Sequence, residues 1–443
     1  MTVVTVLRCE KFIRDRRLLM YKKICGIALI ICYCMVSPLQ RCFAAPPFSE
    51  ARPQYVFLNR EPGPAWYQNN PETIADALFD EPIAKIGSVH APGRRLGLSF
   101  LFNYLNGPPD KMQQTLLLLL NMATKHDTPI LIGFIGENWW DYRSDLWNFW
   151  DKSKPGYNPD NSRNVEWTGN GPEFATKLAW RNWGRQIRVQ PPPNLASPEF
   201  RKASRTELIA LLKIVKQWAD ALPAYRKYLF PGVKVGSEVS VGINAFCYLN
   251  ATRLLETTPA DGSKDPVDGL HMEKGLFGGQ APQGYAALSS MGLSHPGEIN
   301  RRDCELIASD YIRFLCGICR DAGFFSDQVF THGGGQYAPW ELHVSHSTAV
   351  NATSTPGWSL YNQSPATAGD LAISLTKAHQ QEWCASEWLT YGTDSIQWQA
   401  AIQETLGFKR CRFLSIFNWE GIRKNDAAIE GIRRALAIAP DNR

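Results

Sequence analysis

The chain has 443 residues, of which 44% are hydrophobic and 20% are charged, and it contains 15 Trp. This length and composition exclude a disordered or fibrous protein and suit one large barrel domain better than three ordinary domains. The net charge of +5 is concentrated in residues 1–44, whose eight basic and two acidic residues leave the remainder near −1, so no basic surface for nucleic acid is implied.

The N-terminal segment has the three regions of a signal peptide. Basic residues precede an apolar run at 24–36, and small residues follow at Ala44 and Ala45. The apolar run is too short to span a bilayer easily, so no stable membrane insertion is expected after cleavage. We therefore predict a signal peptide over 1–44, with Met20 as an alternative start, and a secreted or periplasmic protein whose catalytic barrel occupies 45–443.

Strand and helix patterns alternate through the first part of the mature chain. Apolar strand-like runs occur at 55–58, 96–102 and 129–135, and the segments 71–79 and 110–126 have the spacing of amphipathic helices. Because a helical segment follows each of the first two strands, the pattern predicts a parallel α/β fold.

The alternation stops at an insertion over 137–203, after the third strand, that is rich in Trp, Asn and Gly. An irregular segment of this length within a compact domain is usually functional. Indoles stack on the C–H faces of sugars, and amides and carboxylates bind sugar hydroxyl groups. We therefore predict that Glu137, Trp139, Trp140 and Trp167 line a carbohydrate cleft. The alternative is a stabilising subdomain whose Trp side chains are mostly buried.

The alternation resumes after the insertion and continues to the C-terminus. The remaining strands are predicted at 233–240, 328–331, 357–361, 382–389 and 413–419, and the remaining helices at 206–221, 284–291, 303–321, 368–379, 395–406 and 427–438. Eight strands with helices between most of them predict a (β/α)8 TIM barrel with long loop insertions at its C-terminal face.

Two of the predicted strands end on a glutamate. The segment 233–240 reads VKVGSEVS and presents Glu238, and the segment 382–389 reads EWCASEWL and presents Glu387. These are strands four and seven, and the carboxyl ends of parallel strands meet on one face of a barrel. The two residues are therefore candidates for an acid/base pair. The alternative for each is a salt bridge or a helix cap.

A barrel with carboxylates at the ends of strands four and seven resembles the glycoside hydrolases of clan A, and more loosely the galactosidase-like branch of that clan. The resemblance implies that Glu238 is the acid/base and Glu387 the nucleophile of a retaining cleavage of β-glycosidic bonds. It also implies that Trp419, in the motif FNW, lies beneath the sugar. Ser237 stands at a sugar-contacting position where the clan usually has Asn.

Cleavage of a glycosidic bond needs a proton for the leaving oxygen and a carboxylate for the anomeric centre. We expect Glu238 to be protonated at rest, because burial and a neighbouring negative charge raise its pKa, and Glu387 to be ionised and held by donors. Tyr361 and His332, at the ends of neighbouring strands, are predicted donors and substrate contacts. The alternatives are packing for the tyrosine and capping of a turn for the histidine.

No metal or cofactor is expected. His343 and His346 lie in a predicted loop without a third ligand, and the CxxC at 316–319 falls in a helical pattern that favours core packing. The glycine-rich segment 333–338 is followed by Pro339 and not by a helix, so it is not a dinucleotide site.

The expected partner is an oligo- or polysaccharide substrate, and the sequence does not determine the oligomeric state. The alternative to an enzyme is a catalytically inactive, secreted carbohydrate-binding barrel. Two glutamates at the two required strand ends favour the enzyme over that alternative.

Overall fold

Eight parallel strands close into a barrel. They are β1 Gln54–Arg60, β2 Arg94–Asn103, β3 Ile130–Ile135, β4 Val233–Val239, β5 Val329–Gly333, β6 Gly357–Tyr361, β7 Glu382–Leu389 and β8 Arg410–Ile416. Each strand pairs with its neighbours in chain order, and β8 pairs with β1, so the sheet has no edge. The predicted TIM-barrel fold is confirmed.

The computed structural model describes residues 52–61, 67–87, 91–182, 186–241, 246–248, 255, 280–334, 344–380 and 382–440. The predicted signal peptide over 1–44, together with Pro339 and His343, lies outside the described residues. Residues Pro53–Arg443 form one compact unit.

Helices follow most strands. They are α1 Ala77–Ile86, α2 Pro109–Lys125, α3 Pro198–Ala221, α4 Arg301–Asp321, α5 Leu371–Lys377, α6 Ser395–Gly407 and α7 Asp426–Leu436. Between β5 and β6 the described residues contain only the 3-10 turn His346–Ala349. Within the described part of the chain, no helix has both the length and the apolar character needed to cross a bilayer.

Side-chain caps define where the two longest helices begin. The Ser197 hydroxyl accepts from the Phe200 amide at the start of α3. At the start of α4, the Asn300 side chain accepts from the Asp303 amide, and the Asp303 carboxylate accepts from the Asn300 amide. These contacts satisfy amides that have no partner within the helix, so both helices begin earlier than the apolar spacing alone predicts.

The first predicted helix and the last predicted strand also differ from the structure. The predicted helix 71–79 is the 3-10 turn Pro71–Thr73 followed by α1, because the chain becomes extended at Ile74. The predicted strand 413–419 ends three residues earlier, as β8. The Asn418 side chain accepts from the Gly421 amide at 2.7 Å and caps a short helix that begins at Trp419.

The interior of the barrel is apolar at the end where the strands begin and polar at the end where they finish. The lower layer is formed by Tyr55, Phe57, Leu131, Phe330, Cys384 and Phe413. Above it lie hydroxyl groups, such as the Ser99 and Ser415 oxygens at 2.9 Å from each other. The packed aromatic layer closes the bottom of the barrel and leaves the polar end for chemistry.

The insertion after β3 has short elements that the sequence pattern does not show. It contains a one-turn helix at Ser144–Trp147, 3-10 turns at Pro159–Arg163 and Pro172–Phe174, and an antiparallel pair of strands, Ala179–Asn182 and Gln186–Val189. Its polypeptide returns to the barrel through α3.

The cysteines that the structure describes are structural. All six are free and buried, including Cys316 and Cys319 on α4, so the core-packing interpretation of the CxxC is confirmed. Within the described ranges, no group of three or more His, Cys, Asp or Glu side chains could hold a metal ion.

Candidate active site

An irregularity in β4 directs Glu238 toward β6. The pairing of β4 with β5 is regular through Val235 and resumes at Val239, with a register shift between them. Gly236 has φ +79° and Glu238 has φ +49°, a left-handed backbone that residues other than glycine adopt rarely. Such bulges re-aim side chains beside active sites.

A second irregularity, in β7, brings two consecutive side chains to the inside of the barrel. The pairing of β6 with β7 shifts so that Ser359 lies opposite Glu387. The hydroxyl of Ser386, the preceding residue, donates to the Thr331 carbonyl at 2.7 Å. Regular alternation would send one of these two side chains outward, so the bulge is what allows Glu387 to face the site.

Strand β6 supplies a hydroxyl donor to each acid. The Ser359 hydroxyl donates to Glu238 Oε1 at 2.6 Å, and the Tyr361 hydroxyl donates to Glu387 Oε1. Tyr361 is therefore a donor to Glu387, and its predicted contact with substrate stays a prediction. Ser359 was not predicted, although it lies two residues before Tyr361 and so on the same face of the strand.

The two carboxyls have raised pKa values with different balances of causes. Burial raises the pKa of Glu238 to about 7, with the charge of Glu387 as the second cause. Burial also raises the pKa of Glu387, but the positive charge of Lys234 and the Tyr361 hydrogen bond oppose that rise. Each residue keeps part of its surface accessible, whereas its carboxyl group is enclosed. When the pair carries one proton, that proton therefore resides mainly on Glu238.

The raised pKa of Glu238 predicts a dependence of stability on pH. Folding raises this pKa from 4.5 to about 7, so between these pH values the folded state binds more protons than the unfolded state. The stabilisation is complete below pH 4.5 and is lost as the pH rises toward 7, an effect on the order of 3 kcal/mol. Urea unfolding from pH 5 to pH 8 should show a shallower fall for Glu238→Gln than for the wild type. Parallel curves would contradict the assignment.

His332 contacts the site indirectly. Its side chain is completely buried, and its Nε2 lies 2.8 Å from the Ser359 hydroxyl oxygen. Burial, and then the charge of Lys234, hold the pKa of His332 well below its usual range, so the ring is neutral. The prediction that His332 contacts substrate is corrected, because the buried ring reaches Glu238 only through Ser359.

Glu137 supports the backbone next to the site. Its carboxylate accepts the Ser237 amide at 2.5 Å and the Gly136 amide at 3.0 Å. The side chain is buried, and burial raises its pKa. The predicted role in lining the cleft is corrected: Glu137 holds β4 at the residue before Glu238. The Ser237 carbonyl also accepts a long bond from Asn138, whereas the role of the Ser237 hydroxyl stays a prediction.

Two tryptophans predicted to line the cleft are core residues. Trp140 is 1% exposed, and its indole N–H donates to the Pro191 carbonyl. Trp167 is 7% exposed, and its indole N–H donates to the Ser162 carbonyl. A ring enclosed in this way has no face for a sugar, so for both residues the alternative of buried, stabilising side chains is confirmed.

Trp419 and Trp139 occupy different environments. Trp419 is completely buried and its indole N–H donates to Glu81 at 2.6 Å, which corrects its prediction as the aromatic surface beneath the sugar. Trp139 is half-buried, and the Arg181 guanidinium lies 5.0 Å from its ring centroid. The predicted substrate contact of Trp139 stays a prediction.

We expect Trp140→Ala to lower the free energy of unfolding by about 3–5 kcal/mol, because it removes a fully packed ring. Trp139→Ala is the matched control, and it should cost clearly less because its ring is half-buried. Urea unfolding of both variants measures the difference. Equal losses would contradict the distinction between a core and a surface indole.

Glu61, directly after β1, adds a third carboxyl near the two acids. The Asn418 side-chain amide donates to Glu61 at 3.1 Å, and the Glu61 amide donates to Glu420 at 2.8 Å. Its pKa is raised to about 7 by burial and then by the charges of Glu387 and Glu420. The residue as a whole is exposed, so water reduces the effect of burial and the neighbouring charges matter more. The sequence signal was its spacing: Glu61 lies an even number of residues after Tyr55 and Phe57, whose side chains point into the barrel.

Lys234 is a further site residue that the sequence analysis did not predict. It lies in β4, is 2% exposed, and donates to the Ser386 carbonyl at 3.2 Å. Burial lowers its pKa, and the charge of Glu387 is the first of the influences that oppose this shift. The signal was a single lysine in the apolar run VKV.

No protein-family model and no curated protein matches the chain. Among solved structures, it is similar to the exo-β-1,4-mannosidase Op5Man5 from Opitutaceae bacterium strain TAV5, with 12% identity and a TM-score of 0.41 over 87% of this chain. The chain spans 59% of that enzyme's length. It is also similar to the catalytic domain of a β-amylase from Paenibacillus polymyxa, with 8% identity and a TM-score of 0.44 over 88% of this chain and 99% of that one. The closed parallel barrel shows the fold, and the resemblance to the glycoside hydrolases of clan A stays a prediction.

Proposed function

We propose that this protein is a secreted glycoside hydrolase that cleaves β-glycosidic bonds with retention of configuration. The observation that carries the proposal is the pair of enclosed carboxyls, Glu238 and Glu387, on β4 and β7, each with its own hydroxyl donor from β6. The assignment to the galactosidase-like branch of clan A, and the sugar itself, remain part of the proposal.

In the first step, protonated Glu238 gives its proton to the oxygen of the leaving group as the glycosidic bond breaks. A lone pair of the Glu387 carboxylate forms a bond to the anomeric carbon, which produces a covalent glycosyl-enzyme. In the second step, the Glu238 carboxylate takes a proton from water, and the water oxygen displaces Glu387. The second step restores both residues to their starting protonation states.

A panel of aryl β-glycosides and of plant and microbial polysaccharides tests the activity. Proton NMR of the first-formed sugar should show the anomeric configuration of the substrate. Inversion would remove the retaining mechanism and make Glu387 a base. Affinity for a sugar without turnover would favour the inactive carbohydrate-binding barrel.

Export is also part of the proposal, and it is supported by the basic, apolar and small-residue regions of 1–44. Full-length protein started at Met1 and at Met20 should yield the same mature N-terminus, close to residue 45. Recovery of an uncleaved protein from both start sites would contradict a cleaved signal.

A further inference from the structure

One lysine lies inside the barrel below the two acids. Lys234 is on β4, four residues before Glu238, and its ammonium donates to the carbonyl of Ser386, the residue before Glu387. Its side chain therefore crosses the interior from the strand of one acid to the strand of the other. The residue is 2% exposed, so the charge is removed from solvent.

The barrel makes room for this side chain. A Cβ atom at Gly133 on β3 would lie 2.8 Å from Lys234 Cε, so a larger residue at that position would displace the lysine. Burial of an ammonium costs several kcal/mol, and an apolar side chain would fill the same space without that cost. A buried ammonium at Lys234 therefore indicates that its positive charge acts on neighbouring groups.

The groups that act on Lys234 come from several strands. The charge of Glu387 on β7 is the largest favourable influence on the ammonium, and Glu238 and Glu137 add smaller ones. His332 on β5 is neutral and adds no competing positive charge. If Glu238 and Glu387 share one proton, the Lys234 ammonium and the remaining carboxylate have opposite charges that cancel. This pairing lowers the free energy of burying charge in a low dielectric.

We propose that Lys234 is a positioning residue that keeps Glu387 ionised while Glu238 holds the proton. The inference rests on the proposed function, because it assigns the ionised carboxylate to the nucleophile. Lys234 reaches the backbone beside Glu387, and it is not assigned a contact with substrate.

A double-mutant cycle on stability tests the partnership without any assay of activity. Lys234→Met should lower the melting temperature of the wild type by several degrees, and by much less when Glu387→Gln has already removed the negative charge. Lys216→Met is the matched control, since Lys216 pairs with Asp220 at the surface, and its effect should be the same in both backgrounds.

Equal losses for Lys234→Met in the two backgrounds would overturn the proposal. If Lys234→Met does not fold, the double variant decides: a folded double variant supports the pairing, and an unfolded one overturns it. Lys234→Gln keeps a donor for the Ser386 carbonyl without the charge, so the proposal requires it to behave as Lys234→Met does.

The second measurement is the pH profile of kcat. Lys234→Met should lower kcat with little change in KM and move the acidic limb upward by one pH unit or more, and Lys234→Arg should restore part of the wild-type profile. An unmoved limb in an active enzyme would overturn the role of Lys234 and leave the glycosidase function standing. If the wild type cleaves no glycoside, the proposed function fails, and the melting cycle still reports whether Lys234 and Glu387 are coupled.

Discussion

Glu387→Ala is expected to abolish turnover on every substrate, with a loss on the order of 10⁴-fold or more in kcat, because it removes the carboxylate assigned to the glycosyl-enzyme bond. Steady-state kinetics on activated and unactivated β-glycosides would measure the loss. It should be severe for both, since the same nucleophile must displace both kinds of leaving group.

Glu382→Ala is the matched control for that variant. Glu382 begins the same strand at the opposite end of the barrel, where it pairs with Arg412 at 3.1 Å. Its loss should affect stability and leave kcat per folded molecule close to that of the wild type. Turnover by a folded Glu387→Ala protein above about one per cent of the wild-type rate would contradict the nucleophile assignment.

Glu238→Ala is expected to give a loss that depends on the leaving group. Substrates that need protonation should lose about 10²–10⁴-fold in kcat/KM, and activated aryl glycosides should lose far less in the first step. Added azide should raise the rate with activated substrates, because it replaces the water that Glu238 would activate. The glycosyl azide should keep the configuration of the substrate.

The pH profile gives an independent measure of the same residue. Because the pKa of Glu238 is raised to about 7, kcat/KM of the wild type should fall as the pH rises through that value. Glu238→Gln keeps the size of the side chain, and the alkaline limb should disappear in it. A limb that persists near pH 7, or equal losses on all leaving groups, would contradict the acid/base role.

The strands were predictable because burial leaves a direct trace in the sequence. The segments 357–361 and 382–389 coincide with β6 and β7, and the Glu238 strand is one residue shorter than predicted. A strand buried on both faces reads as a continuous apolar run, and the glutamate that interrupts the run marks the functional end.

The bulges and the tryptophans were not predictable from the same patterns. A period of two residues sends Ser386 and Glu387 to opposite faces, and only the register with β6 shows that both point inward. The number of tryptophans in the insertion does not show which indoles find backbone carbonyls, as Trp140 and Trp167 do. The inward position of Lys234 was not predictable from its own strand, because the space for its side chain is provided by Gly133 on another strand.

The left-handed backbone at Glu238 determines which substitutions would accumulate at this position if the protein were not an enzyme. A residue with a Cβ at φ +49° carries a conformational penalty of about 1–2 kcal/mol that glycine avoids, and asparagine tolerates this region better than glutamate. A barrel that only held sugars would tolerate either replacement and gain stability from it. Glutamate in this conformation, enclosed beside a second carboxylate, is therefore a costly residue that mutation would remove unless selection acts on its carboxyl group.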